Sequence, residues 1–171
     1  SEKVLAQADA MPKEVQKSDL QGRTDFRDLM TVTIDGDDAK DFDDAISIEK
    51  TTQGYRLYVH IADVSHYVKE GSPIDQEAFA RSTSIYVADR VVPMLPFALS
   101  NGICSLNPGV DRCTISCIMD IDSLGHCLHH KIVPSLIHSN RRCTYAKVNR
   151  FLKADPQIQK EDDDIKDLLY H

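Results

Sequence analysis

An α+β fold, built on a predominantly antiparallel sheet with flanking helices, is what the 171-residue sequence predicts. Three observations point there. Ala45–Lys50 and Tyr55–Ala62 alternate apolar and polar residues, with Thr51-Thr52-Gln53-Gly54 between them as a hairpin turn. Thr114–Ile121 alternates in the same way, and Asp122-Ser123-Leu124-Gly125 turns it back into a partner strand reaching about His138. Helix-start signals fall outside these pairs, so hairpins dominate over strand-helix-strand crossovers.

The remaining elements follow in chain order. Residues 1–20 read as a helix or linker broken near Pro12, the tail of an upstream domain, with the main unit at 21–171. The apolar-polar run Thr31-Val32-Thr33-Ile34 reads as a strand. Ser72 caps a helix that opens on Pro73 and runs to about Ser82, with Ile74, Ala78 and Phe79 facing inward. Three prolines between Val91 and Pro108 forbid a central strand there, which predicts an irregular loop. Ile115, Cys117, Met119 and Ile121 share the inner face of their strand. Thr144 caps a helix with a stripe of Tyr145, Val148, Phe151 and Leu152, and the acidic tail from Gln157 forms one more.

Composition narrows the class. A hydrophobic content of 42% suits a soluble domain with a real core. No apolar run approaches the roughly 20 residues of a membrane span, and the N-terminus lacks a secretory layout, so no membrane partner and a cytoplasmic location are expected. The five cysteines, Cys104, Cys113, Cys117, Cys127 and Cys143, are odd in number and lack zinc-knuckle spacing. Buried free thiols are the expectation. His60 and His66, beside Asp63, read as hydrogen-bonded structural histidines rather than zinc ligands.

Net charge is −7, unevenly distributed. Residues 1–80 carry nine basic and seventeen acidic side chains, residues 81–153 nine basic and four acidic, and residues 154–171 two basic and six acidic. A basic stretch thus follows an acidic one, as expected if one part tracks phosphates and the other holds metal.

The acidic part concentrates in Asp35-Gly36-Asp37-Asp38-Ala39-Lys40-Asp41-Phe42-Asp43-Asp44, six carboxylates in ten positions. Packing them together at neutral pH calls for a cation. The donors are hard oxygens without Cys or His, which favours magnesium, manganese or calcium over zinc. An EF-hand does not fit. Counted from Asp35, its sixth and twelfth positions would be Lys40 and Ile46; counted from Asp37, they would be Phe42 and Ile48. A solvated acidic loop is the competing reading, but Phe42 between Asp41 and Asp43 has no place in a loop free in water.

Thr33-Ile34-Asp35-Gly36-Asp37-Asp38-Ala39-Lys40-Asp41-Phe42-Asp43-Asp44-Ala45 resembles the signature of the RNB-domain exoribonucleases, the ribonuclease II and ribonuclease R family. The resemblance continues in Gly22–Leu29, in His60-Ile61-Ala62-Asp63-Val64-Ser65-His66-Tyr67-Val68, in Val91-Val92-Pro93-Met94-Leu95-Pro96 and in Leu99–Pro108. The wording is closer to ribonuclease R. It implies a magnesium-dependent 3′-to-5′ exoribonuclease, with manganese as a possible substitute, that releases nucleoside 5′-monophosphates from single-stranded RNA. Asp35, Asp41, Asp43 and Asp44 match the family's metal-holding and catalytic positions, and Asp37 and Asp38 do not. Tyr86 aligns with the aromatic residue used against terminal nucleotides, where a ring face accepts any base. Arg81, Arg90 and Arg112 are candidates for phosphate contact. The resemblance further implies that these residues are the first half of an RNB domain. An inactive fragment that self-associates through exposed strand edges is then expected. The reading from another class is a non-catalytic acidic module that binds divalent ions and RNA or a protein partner.

Overall fold

The computed structural model describes residues 1–88, 90–153 and 165–170. Helix α1 (Glu2–Asp9) comes first, followed by strands β1 (Thr24–Asp25), β2 (Val32–Asp35), β3 (Asp44–Lys50) and β4 (Gly54–Ala62). Helices α2 (Val64–Tyr67) and α3 (Pro73–Arg81) lead to a small hairpin, β5 (Ile85–Val87) and β6 (Arg90–Val92). Strands β7 (Asp111–Asp122), β8 (Cys127–His138) and β9 (Arg141–Thr144) precede α4 (Tyr145–Leu152). Seven strands form one sheet in the order β1-β8-β7-β4-β3-β2-β9, and β5 and β6 pair only with each other. The expected α+β class with a mainly antiparallel sheet holds. Its two edge pairings, β1 with β8 and β2 with β9, are parallel.

The two expected hairpins form, in registers that place Ala45 opposite His60 and Cys117 opposite Ile132. Gly54 opens β4 at φ 154°, and a Cβ there would fall 2.2 Å from the Ile121 carbonyl oxygen. Only glycine lets β4 lie this close to β7. The Ser72 hydroxyl accepts from the Asp75 amide at 3.3 Å and the Thr144 hydroxyl accepts from Lys147 at 3.2 Å, so both predicted caps are made.

Packing overrides several sequence readings. Phe79 does not face inward but is 87% exposed, and Tyr145 and Leu152 also project to solvent; Ile74 and Phe151 carry the buried stripes. The stretch from Val91 to Pro108 is not irregular throughout. It begins in β6 and contains a helical segment, Ala98–Ile103, whose Leu99 and Ile103 enter the core. Prolines are compatible with it because β6 is a short edge strand. Within residues 1–20, helix α1 buries Val4 and Ala8 with Tyr67, Ile74 and Leu99. Cys104, Cys113 and Cys143 are buried free thiols as expected, whereas Cys127 is exposed. Of the tail expected to be helical from Gln157, residues 157–164 lie outside the described residues, and Lys166–Tyr170 is a short helix. Among the described residues no helix is long and apolar enough to cross a membrane.

The centre of the sheet is polar where the alternation predicted an apolar face. Thr114 and Ser116 are fully buried, while Ile115 and Cys117 are half-buried. Beneath the strands runs a chain of hydrogen bonds. Thr31 Oγ1 meets Ser47 Oγ at 2.7 Å, Ser47 Oγ meets His60 Nε2 at 3.1 Å, and His60 Nδ1 meets Ser116 Oγ at 2.6 Å. Ser116 continues it to Ser135 on β8. Each buried polar atom here satisfies its neighbour, which is the condition for tolerating it. His60 is structural, as expected, and burial pushes its imidazole down to about 4.

Candidate active site

The acidic loop spans the gap between β2 and β3. Asp35 is the last residue of β2, beside Thr144 of β9, and Asp44 is the first of β3, opposite Ile61. Phe42, between them, is buried against Ala45, Leu106 and Ile137. Its amide donates to Ser105 Oγ at 3.0 Å, and its carbonyl accepts from the Leu106 amide at 2.8 Å. The same Ser105 hydroxyl donates to the Lys40 carbonyl at 3.0 Å. Phe42 therefore nails the loop to the core, and its neighbours Asp41 and Asp43 are directed outward. The reading that Phe42 argues against a free loop is correct. Asp37 and Asp38 are exposed, as expected.

Electrostatics couple the four matched aspartates. Burial raises the Asp35 carboxyl above the usual range, Asp44, Asp41 and Asp43 add to the rise, and Arg142 opposes it. Burial also raises Asp43, with further contributions from Asp41 and Asp44. Like charges held together in this way favour a bound cation. The donors are all carboxylate oxygens, which fits a hard divalent ion such as magnesium or manganese.

Their oxygens do not close into a tight cage. Among the described residues, the one group of three His, Cys or acidic ligand atoms within 4.8 Å of one another is Asp19, His66 and Cys113. There His66 Nε2 and Asp19 Oδ1 pair at 2.9 Å beneath a buried thiol, so the structural reading of His66 stands.

Beside the aspartates lies a cleft of about 730 Å³, lined by Asp38, Asp41, Tyr86, Phe97 and Asn101. A second cavity of about 430 Å³, lined by Asp41, Asp43, Ile61 and Ser100, shares Tyr86 with it. Tyr86 sits on β5, is 69% exposed, and donates from its hydroxyl to Asp41 Oδ2 at 3.4 Å. Sequence position alone would not put a residue of this separate hairpin against the loop.

The three arginines divide. Arg90 is exposed on β6 next to this hairpin's turn. Arg81 binds Glu77 at 2.7 Å and the Pro93 carbonyl at 2.9 Å, tying α3 to the segment after β6. Arg112 is 6% exposed and donates to the carbonyls of Ser105, Asp111 and Gly102, at 2.8, 2.8 and 3.2 Å. It cannot also reach a phosphate outside, so that expectation is corrected: β7 carries Arg112 inward to brace the Gly102–Ser105 turn. Sequence reasoning missed Arg142, which donates to the carbonyls of Gly36 and Asp37. Its signal was an arginine pair, Arg141-Arg142, just before a helix cap.

Fold and site together set four aspartates on an anchored loop between two strands of the sheet. The RNB domain family matches residues 23–170, and the chain belongs to that family. It is 58% identical to ribonuclease R of Thermotoga maritima over 99% of this chain and 24% of that protein. With ribonuclease R of Escherichia coli K12 it shares 46% identity, over 92% of this chain and 20% of the relative. Mycoplasma genitalium RNase R, solved in complex with ribose-methylated single-stranded RNA, superimposes with a TM-score of 0.86 at 38% identity, covering 90% of this chain and 24% of that one. The chain thus spans a fifth to a quarter of the length of these three relatives.

Proposed function

We propose that this chain supplies the metal-holding part of a 3′-to-5′ exoribonuclease that hydrolyses single-stranded RNA to nucleoside 5′-monophosphates in the cytoplasm. The observation that carries this reading is the coupled set Asp35, Asp41, Asp43 and Asp44, held by an anchored loop, with Asp41 and Asp43 lining a cavity that Tyr86 borders. Those four carboxylates would hold magnesium, with manganese as a substitute. Bound metal would supply Lewis-acid charge to the phosphate oxygens and a water of lowered pKa.

The side chains define the rest of the site. Tyr86 offers an exposed ring face for a base, and a stacking contact accepts all four bases alike. Its hydroxyl bond to Asp41 sets the ring beside the carboxylates, so a stacked terminal nucleotide would have its phosphate near them. Ile61, Leu95 and Phe97 present apolar surface around the same cavities, which limits competing water. Arg90, exposed on the hairpin that carries Tyr86, would meet the RNA backbone.

The test is Asp43→Asn in the longer protein that contains this chain. The expected result is loss of monophosphate release from labelled poly(A) with RNA binding retained. Undiminished hydrolysis would overturn the role given to Asp43, and binding of RNA without hydrolysis by the unsubstituted protein would leave a binding module.

A further inference from the structure

We propose that Arg142 is a positioning residue that sets the spacing between the two arms of the aspartate loop, and through it the loop's affinity for a divalent cation. This rests on the reading of the aspartates as metal ligands.

The loop has two arms that meet no common strand. One leaves β2 through Asp35, Gly36 and Asp37; the other enters β3 through Asp41, Phe42, Asp43 and Asp44. Because β2 and β9 run parallel with Thr33 opposite Arg142, the arginine springs from the strand beside Asp35. Its Nη2 donates to the carbonyls of Gly36, at 3.1 Å, and Asp37, which fixes the first arm. Its guanidinium carbon lies 5.2 Å from the centroid of the Phe42 ring, which fixes the second. Phe42 is itself anchored on both sides of its backbone by Ser105 and Leu106. A single planar group thus joins the arm bearing Asp35 to the arm bearing the other three aspartates.

Two features favour positioning over packing or bulk charge. The buried Nε of Arg142 has no hydrogen-bond partner, a cost that a purely stabilising contact does not require. The contacts also need a planar fork that both donates and lies over a ring, which a lysine of equal charge lacks. Charge alone acts in the opposite direction, since a fixed cation beside the loop repels a second one.

The test separates these effects by keeping the charge. Manganese chloride is titrated by calorimetry into the wild-type protein, Arg142→Lys and Phe42→Leu, and each is melted without metal. Supporting groups around metal ligands typically contribute about 10–100-fold in affinity. Arg142→Lys is therefore expected to weaken manganese about tenfold, and Phe42→Leu to weaken it severalfold. A purely structural role would lower the metal-free melting temperature while leaving the affinity of the folded protein intact, and that result would overturn the proposal. So would unchanged or tighter binding in Arg142→Lys. Should Arg142→Lys fail to fold, Phe42→Leu decides by the same criterion, wild-type affinity in it refuting the positioning role. If the wild-type protein binds no manganese, it is the metal reading of the aspartates that fails, and the positioning role of Arg142 with it.

Discussion

Acidification should destabilise this fold well above the range where carboxylates titrate, and His60 is the reason. The imidazole is 0% exposed, held between Ser47 and Ser116 and lying against Phe26 and Tyr58. Among the described residues no carboxylate bonds to it to offset a positive charge. Burial lowers its folded pKa from 6.5 to about 4. Unfolded chains bind this proton near 6.5 and folded ones only near 4, so in between a fall in pH favours unfolding. The full difference is worth about 3 kcal/mol, and about 2 kcal/mol of it is lost between pH 7 and pH 5. The lowered carboxylates Asp19, Asp63 and Asp111 titrate below the ordinary carboxylate value of 3.8, outside that window. Raised Asp35 and Asp43 act with the opposite sign, since the folded state protonates first. Urea denaturation at pH 7 and pH 5 measures the loss, expected as a midpoint about 1 M lower for wild type. His60→Gln keeps a donor and an acceptor without titrating, and should lose about 2 kcal/mol less over the same interval. If both proteins lost stability in parallel, the imidazole would not be held neutral by burial and the reasoning would fail.

Other outcomes follow from single residues. Arg112→Met removes the donors on three carbonyls, so it should cost about 2–4 kcal/mol in urea denaturation. The folded variant should bind RNA like wild type, a measurement that opposes the phosphate-contact expectation directly. Tyr86→Ala removes an exposed ring, so its melting temperature should be unchanged while affinity for a short oligoadenylate falls by about 1–3 kcal/mol. Magnesium at ten times its dissociation constant should stabilise the chain by about 1.4 kcal/mol, seen as a melting temperature raised by a few degrees. No shift with either magnesium or manganese would mean that the aspartates do not form a cation site in this chain.

Local patterns carried most of the fold. The alternation in β3 and β4 and the caps at Ser72 and Thr144 depend on neighbours a few residues away, and those elements stand where the sequence put them. What failed depended on partners distant in sequence. Phe79 is exposed because α3 packs through Ile74 against α1 rather than through a wider face. The polar face of β7 is buried because His60 of β4 and Ser135 of β8 satisfy it, with Ser47 of β3 bonded to the far side of His60, an outcome that a period-two rule reads backwards. In the site, the aspartates were legible as a run, whereas Arg112 and Arg142 were not distinguishable by type. Only the sheet register sends Arg112 inward to carbonyls and brings Arg142 to the loop.

The loop also shows how a repulsive set of carboxylates is held in place. Burying the Phe42 ring contributes about 1.5–3 kcal/mol, and each hydrogen bond at its backbone and at Ser105 about 0.5–1.5 kcal/mol. Those contributions lie at one residue, whereas the repulsion is spread over Asp35, Asp41, Asp43 and Asp44. Anchoring at Phe42 therefore prevents the carboxylates from relaxing their repulsion by moving apart as a loop. On the proposed metal reading, the repulsion retained at Asp35 and Asp43 would become differential affinity for a divalent ion, since only the bound state would relieve it. A looser loop would be more comfortable without metal and a weaker ligand set with it. The apolar residue inside the acidic run is thus as much a part of the site as the acids on either side of it.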